Sequence, residues 1–545
     1  CAMATLVLFG YSYALRQGFS NDDFLIFREV ALHPASFELG WARLIAGYWR
    51  PWSREFHFWG FHHAFGLNPV VFHAVNLVLW LGVLAALLAW LRRILDPRTA
   101  VLVVAGAFAA STWGVFVVWA SCSQDLWMLL LGALFLLAQS QGRGWLATIA
   151  LALALLSKET AVLVFAIGVW SQYILKGRAG LSLREWWGPA LAVAVWALVH
   201  PSIGGRVLFH SGDSFAPGSD QGLSASSVRF ALAPLNLESL PTPQQGWPRA
   251  LGLGAIWSGV LGALAWFALR EVPARSALVS RQRQWLALGL GWWAIAWMPL
   301  LVSVAPWHSY YGWIGFVGLW VAIVGALGSY PRVVVAMIAL VALLRPASAN
   351  TYRGDWGTEL DQSLAAQRTE RIREQLLAFH PTLPPGSRII IAGVPSFAGL
   401  LTSPRQSAAA EVWYHDTTVT IVGLSQYWRR GPNETAGEDH FYVLDREQKL
   451  YPLATGILLV PDSLRALPEW AGAEEKVGAM FAQASEWERA RAIFARLAST
   501  YPAEPREAFN LSVVYANLGD ADRAELWRRR ADSLSAKNPE AVRTP

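Results

Sequence analysis

Two carboxylates stand side by side early in the chain, in Phe19-Ser20-Asn21-Asp22-Asp23-Phe24, just beyond a first apolar run. An ionised carboxylate held there can take the proton from an acceptor hydroxyl, provided it lies within hydrogen-bond reach. Asn and Asp also favour helix N-caps and solvated loops, so Asp22 and Asp23 carry a structural reading beside the chemical one. A second constellation, Ser157-Lys158-Glu159, sets a cation next to an anion between two apolar runs, where an ionisable pair marks function by default. Between these lie Tyr48-Trp49-Arg50-Pro51-Trp52, then His57, His62 and His63, then Gly66-Leu67-Asn68-Pro69 and Phe72-His73-Ala74-Val75-Asn76-Leu77. Arg50 suits either a ligand contact or a headgroup anchor, and His73 and Asn76 are expected to make interhelical hydrogen bonds. Paired carboxylates can also hold a divalent cation, but no complete ligand set is visible. Cys1 and Cys122 are far apart in apolar context and offer neither a disulfide framework nor a metal site.

The elements that must position these residues are membrane helices. Of 545 residues, 54% are hydrophobic and 15% charged, against roughly 25% charged in an ordinary soluble protein. Disorder, a collagen and a wholly soluble enzyme are excluded. Residues 1–345 carry a net charge of +9 and 24 of the 30 tryptophans, whereas 346–545 carry −3. The excess of positive charge therefore belongs to loops of a membrane half, not to a nucleic-acid surface. Apolar runs fall near 2–16, 69–91, 99–120, 126–140, 145–157, 159–175, 188–204, 250–269, 285–305, 311–329 and 332–345, about eleven spans. The runs at 145–157 and 159–175 read as a hairpin turning at Ser157-Lys158-Glu159. Because the chain opens with Cys and the first run is short, further residues are expected before it. The tryptophan excess reads first as an interfacial belt and second as a sugar-stacking surface.

Orientation follows from the short loops. Arg92, Arg93, Arg98, Arg143, Lys176, Arg178, Arg184, Arg270, Arg275, Arg281, Arg283 and Arg332 fall on one side, and the turns at 121–125 and 305–310 carry no Lys or Arg. The basic side is cytoplasmic by the positive-inside rule. This places the loops 17–68 and 205–248, the 157–159 turn and the tail outside, periplasmic if the membrane is a bacterial inner membrane.

The tail divides in two. In 346–470 an amphipathic helix over 355–379 precedes strand-like runs at Arg388–Ala392, Thr417–Val422, Phe441–Leu444 and Gly456–Val460, the pattern of a small α/β domain. It shows no phosphate loop, triad or metal spacing, and Asn433-Glu434-Thr435 matches a glycosylation sequon of low specificity. In 471–545, Phe481 and Tyr515, and Ala490 and Ala524, recur 34 residues apart, the tetratricopeptide period. Two such units are expected to pack on the α/β domain, as a cap or as a docking surface for a protein partner.

In order along 1–345, these motifs resemble a family, the GT-C glycosyltransferases, and within it the protein O-mannosyltransferase-like group that includes transmembrane and tetratricopeptide-repeat proteins. The resemblance rests on the acidic pair after the first helix, Tyr48-Trp49-Arg50-Pro51, Gly66-Leu67-Asn68-Pro69 with His73 and Asn76, Leu156-Ser157-Lys158-Glu159, and His308-Ser309-Tyr310-Tyr311. It departs where the family carries Arg and this chain has Ser121-Cys122-Ser123-Gln124-Asp125 and Trp307-His308. The resemblance implies a mainly α fold: a polytopic helical domain, a small external α/β domain and repeat helices. It further implies inverting sugar transfer from a polyprenyl-phosphate carrier to an external hydroxyl, with Asp22 or Asp23 as base; position favours Asp23, which lies closer to Phe24, an aromatic that would fix the loop. Arg50, Lys158 and His308 would bind phosphate, Glu159 would orient Lys158, and Tyr310 and Tyr311 would line the carrier or sugar. The alternative is a non-catalytic scaffold of the same fold whose tail binds partners, favoured by the two missing Arg residues. A transporter is weaker, because the chain shows neither matching halves nor paired Gly/Pro-broken spans.

Overall fold

In a computed structural model of the chain, the structure describes residues 10–32, 48–201, 203, 230, 232–237, 277–298, 309–350, 357–392, 402–403, 406–423, 437–445, 447–454, 457–458 and 468–537. The expected span near 250–269 and the sequon at 433–435 lie outside them, as does most of the loop 205–248. Two compact units form, Cys1–Gln367 and Arg368–Pro545.

The first unit is helical. After a short 3-10 turn at Ser12–Arg16 come α1 (Asp22–Leu32), a π-type turn at Pro51–Phe56, α2 (His57–Phe65), α3 (Pro69–Ile94), α4 (Pro97–Phe108), α5 (Trp113–Val118), α6 (Ser123–Ser140), α7 (Gly144–Ser157), α8 (Ala161–Lys176) and α9 (Leu183–Val199). Then follow α10 (Ala277–Trp297), α11 (Trp313–Leu327), α12 (Pro331–Ala349) and the start of α13 (Glu359–Phe379). Local chemistry sets the starts. Asn68 caps α3 by accepting from Val70 N at 3.1 Å, and Asp96 caps α4 by accepting from Arg98 N and Thr99 N, each followed by a proline whose missing N–H costs nothing at that position. Among the described residues four helical stretches are long and apolar enough to cross a membrane: Pro69–Ile94, Ala120–Ser140, Tyr310–Leu327 and Pro331–Ala349. The chain is an integral membrane protein.

Two expectations are corrected here. The run at 99–120 is not one helix; it breaks into α4, α5 and a 3-10 turn at Ala120–Cys122. Side chains satisfy the first break, since Asn236 Oδ1 accepts from Ser111 N at 2.7 Å and Asn236 Nδ2 donates to Ala109 O at 2.9 Å. The tryptophans are in good part core rather than interfacial belt: Trp49, Trp80, Trp90, Trp113 and Trp320 are fully buried, while Trp145 and Trp187 are exposed. Glycines make the room. A Cβ on Gly106 would lie 2.3 Å from the Trp320 ring, and one on Gly291 2.2 Å from Trp170.

In the second unit a five-stranded sheet runs in the order β4-β1-β5-β6-β7, with β1 (Arg388–Ala392) between β4 (Thr420–Gly423) and β5 (Asp439–Leu444), parallel to both. The continuous run Ile389-Ile390-Ile391 is buried throughout, as a central parallel strand requires. The sequence reading misses β6 (Leu450–Ala454), which pairs antiparallel with β5. A two-stranded ribbon, β2 (Thr402–Ser403) with β3 (Gln406–Ser407), precedes the short helix α14 (Ala408–Tyr414). Beyond β7 (Ile457–Leu458), helices α15 (Pro468–Gln483), α16 (Trp487–Thr500), α17 (Pro505–Asn517) and α18 (Ala521–Lys537) follow, and α18 starts 34 residues after α16. Ile390, Phe441 and Tyr451 share one core with Val477, Phe481, Ile493 and Leu511.

Candidate functional site

Asp22 and Asp23 open α1, and their environments differ. Asn21 adopts a left-handed backbone, which Asn tolerates, and turns the chain into the helix. Asp23 is fully buried, and its Oδ2 accepts from Ser20 N at 2.9 Å. Its Oδ1 accepts from Ser121 N at 2.7 Å and from the Ser121 hydroxyl. Burial pushes its pKa up to about 7 against the lowering effect of those bonds. Asp22 is only half-buried and takes no hydrogen bond among the described residues. Burial raises its pKa, while Arg50, Lys158 and Arg54 pull it down. Asp22 therefore lies within the electrostatic reach of three cations and has no hydrogen bond among the described residues, and Asp23 ties the loop to the helix break.

The cations come from two segments. Arg50, at the entry to the Pro51–Phe56 turn, spreads its guanidinium over Glu159, with Nε to Oε2 at 3.0 Å and Nη2 to Oε1 at 2.6 Å. Its Nη1 donates to Gln124 Oε1 at 2.9 Å, and its Cζ lies 4.3 Å above the Tyr48 ring. Burial opposes the Arg50 charge, but Glu159 outweighs it and raises the pKa. Burial likewise pushes Glu159 up, and Arg50 overrides it to hold that carboxyl at about 2. Lys158 Nζ donates to Asp125 Oδ1 at 2.6 Å and lies 5.8 and 5.9 Å from the Tyr310 and Tyr311 rings. The two phenols bond each other at 3.3 Å. Ser53 Oγ donates to Ser157 O at 2.5 Å, pinning the turn that carries Lys158 and Glu159.

The expected pairing is thus corrected. Glu159 does not orient Lys158; it clamps Arg50, and Asp125 holds Lys158. The geometry brings together Asp22, Asp23, Arg50, Lys158, Glu159, Tyr310 and Tyr311; His308 lies outside the described residues. Sequence reasoning misses Arg54, which bonds Glu55 and acts on Asp22, and also Ser121, Gln124 and Asp125. Asp125 had a usable signal, an ionisable residue opening an apolar helix, the criterion that singles out Lys158. Among the described residues no three potential metal ligands cluster.

No family model matches the chain, and no curated protein matches it. Among solved structures, the chain is similar to ArnT from Cupriavidus metallidurans in the apo state, at 14% identity over 77% of this chain and 84% of that one, with a TM-score of 0.35. It is similar also to the same protein bound to undecaprenyl phosphate, at 12% identity over 82% and 92%, with a TM-score of 0.31. At that level of likeness the chemistry of this chain rests on its own residues.

Proposed function

We propose that the protein is a membrane glycosyltransferase that moves a sugar from a polyprenyl-phosphate carrier to an external hydroxyl, with inversion. The observation that supports it is the Asp22 carboxylate, free of hydrogen bonds among the described residues and within the electrostatic reach of Arg50, Lys158 and Arg54. In this reading Asp22 takes the acceptor proton as the acceptor oxygen attacks the anomeric carbon. The bond from that carbon to the carrier phosphate oxygen breaks, and its electron pair leaves on the phosphate. The phosphate gains charge as it leaves, so preplaced cations stabilise the transition state more than the ground state. Arg50 offers a planar fork and Lys158 a point charge, flanked by Tyr310 and Tyr311. The resemblance of the motifs points the same way but leaves either carboxylate as base; the bonds that engage both oxygens of Asp23 favour Asp22 over the Asp23 expected from the sequence.

One observation favours the scaffold reading: each of these cations already has a carboxylate partner, Arg50 with Glu159, Lys158 with Asp125 and Arg54 with Glu55. In that reading the ion pairs knit the loop to the bundle, and α15–α18 dock a partner protein. Sugar transfer from a radiolabelled polyprenyl-phosphate sugar by the purified full chain separates the two. Asp22→Asn should reduce transfer by about 10²–10⁴-fold while leaving carrier binding in place. Wild-type transfer by that variant overturns the mechanism, and no transfer by the wild type favours the scaffold.

A further inference from the structure

His73 and Asn76 are wholly buried on one face of α3, and the chemistry above gives them no task. They face the second break, between α5 and the Ala120–Cys122 turn. An unbroken helix would bond Ala120 N to Phe116 O and Ser121 N to Val117 O. Here Ser121 N goes to Asp23 instead, at 2.7 Å. The freed carbonyls are met from α3: His73 Nδ1 lies 3.0 Å from Val117 O, and Asn76 Nδ2 donates to Phe116 O at 3.1 Å and Trp119 O at 3.0 Å. A carbonyl only accepts, so His73 carries its proton on Nδ1. Backbone groups released inside a membrane bundle must find such partners, because no water is there to serve them.

We infer that His73 and Asn76 are positioning residues that set this break and, through it, the charge arrangement of the site. The residues after the break are Ser121, which holds Asp23, Gln124, which holds Arg50 at 2.9 Å, and Asp125, which holds Lys158 at 2.6 Å. If the helix ran on, Ser121 N would leave Asp23 and all three anchors would rotate away together. The functional consequence rests on the carrier-phosphate reading; the structural one does not.

Two measurements on the purified full chain test it. Cys122 is buried in the break and serves as a built-in reporter. Asn76→Asp keeps the size and removes the donor, and it should raise the rate of Cys122 alkylation by a small maleimide at least about tenfold. A cysteine placed at Ala326, equally buried in α11, should stay as unreactive as in the wild-type background. His73→Leu, read the same way, replaces Asn76→Asp should that variant fail to insert. An unchanged Cys122 rate, or parallel rises at both cysteines, overturns the inference. The second measurement is the affinity for undecaprenyl phosphate in lipid nanodiscs, in a cycle of Asn76→Asp with Asp23→Asn. Acting on one break, the two changes should be strongly non-additive, each weakening binding about tenfold and the pair no further. A loss near the product of the two overturns the positioning role. Absence of binding by the wild type removes the carrier reading instead, and Cys122 still decides on the break.

Discussion

At the scale of residues, the acidic pair splits into a clamp, Asp23, and a carboxylate without a hydrogen bond among the described residues, Asp22, the proposed base. Asp23 has both oxygens engaged by Ser20 and Ser121, so its removal should cost stability first. Asp22 must be ionised to accept a proton, and burial lifts its pKa above the ordinary 3.8. The transfer rate should therefore rise with pH through a limb placed above that value, and Asp22→Asn should erase the limb; a profile flat on the acid side would count against Asp22. Lys158→Met should differ by weakening carrier binding itself, about 10-fold or more, since the phosphate is charged before reaction; it also strands Asp125, which sits buried beside it. Equilibrium binding of undecaprenyl phosphate checks this. The acidic pair, Arg50 and Lys158 were legible because ionised side chains are rare in so apolar a chain. Their partners were not, because Glu159 reaches back to Arg50 across 109 positions and Asp125 lies 33 positions before Lys158. Such distances are closed only by the packed bundle.

At the scale of elements, the interior is built by fitting large rings and backbones into glycine notches. Helices α10 and α11 approach through Gly289, Gly318 and Gly325, and a Cβ on Gly289 would lie 2.2 Å from Ala322 N and 2.6 Å from Gly318 O. Backbone atoms of a neighbouring helix cannot swing aside as a side chain can. Gly289→Val should thus cost more than the about 1–3 kcal/mol usual for overpacking, seen as a lowered Tm or lost monodispersity in size-exclusion chromatography. Small residues at such contacts are the rule where no hydrophobic effect drives helices together. The apolar runs showed most helices in advance, since length and hydropathy are local properties. The breaks at 109–112 and 119–122 were hidden, because Asn236, His73 and Asn76 satisfy them from distant parts of the chain.

At the scale of the molecule, the positive-inside rule applied to the basic loops of 1–345 predicts a topology in which residues 346–545 lie outside. Ser499, exposed near the end of α16, gives a place to read it. Ser499→Cys in a Cys1→Ser background should react with an impermeant maleimide on intact cells, with Cys122 silent through burial. Reaction only after lysis would invert the topology and move the Asp22 site to the wrong face for an external acceptor.

Helix α12 has a consequence of its own. Its inward stripe is Val334, Val341 and Ser348, while Val335, Leu340 and Leu343 are uncovered, so hydrocarbon is its principal neighbour. At 19 residues it measures about 28 Å, close to the roughly 30 Å thickness of a bilayer's oily layer. The stretch between Arg332 and Arg345 is shorter, about 20 Å, so the bilayer must thin beside it or the two guanidiniums must reach outward to the headgroups. Near its far end Arg345 bonds the Tyr11 hydroxyl and lies 3.8 Å from Glu359. A thicker bilayer would have to thin locally or drag that guanidinium inward, away from both partners. The lipid composition of the host membrane thereby becomes a variable in how firmly the first turn of α13 is held.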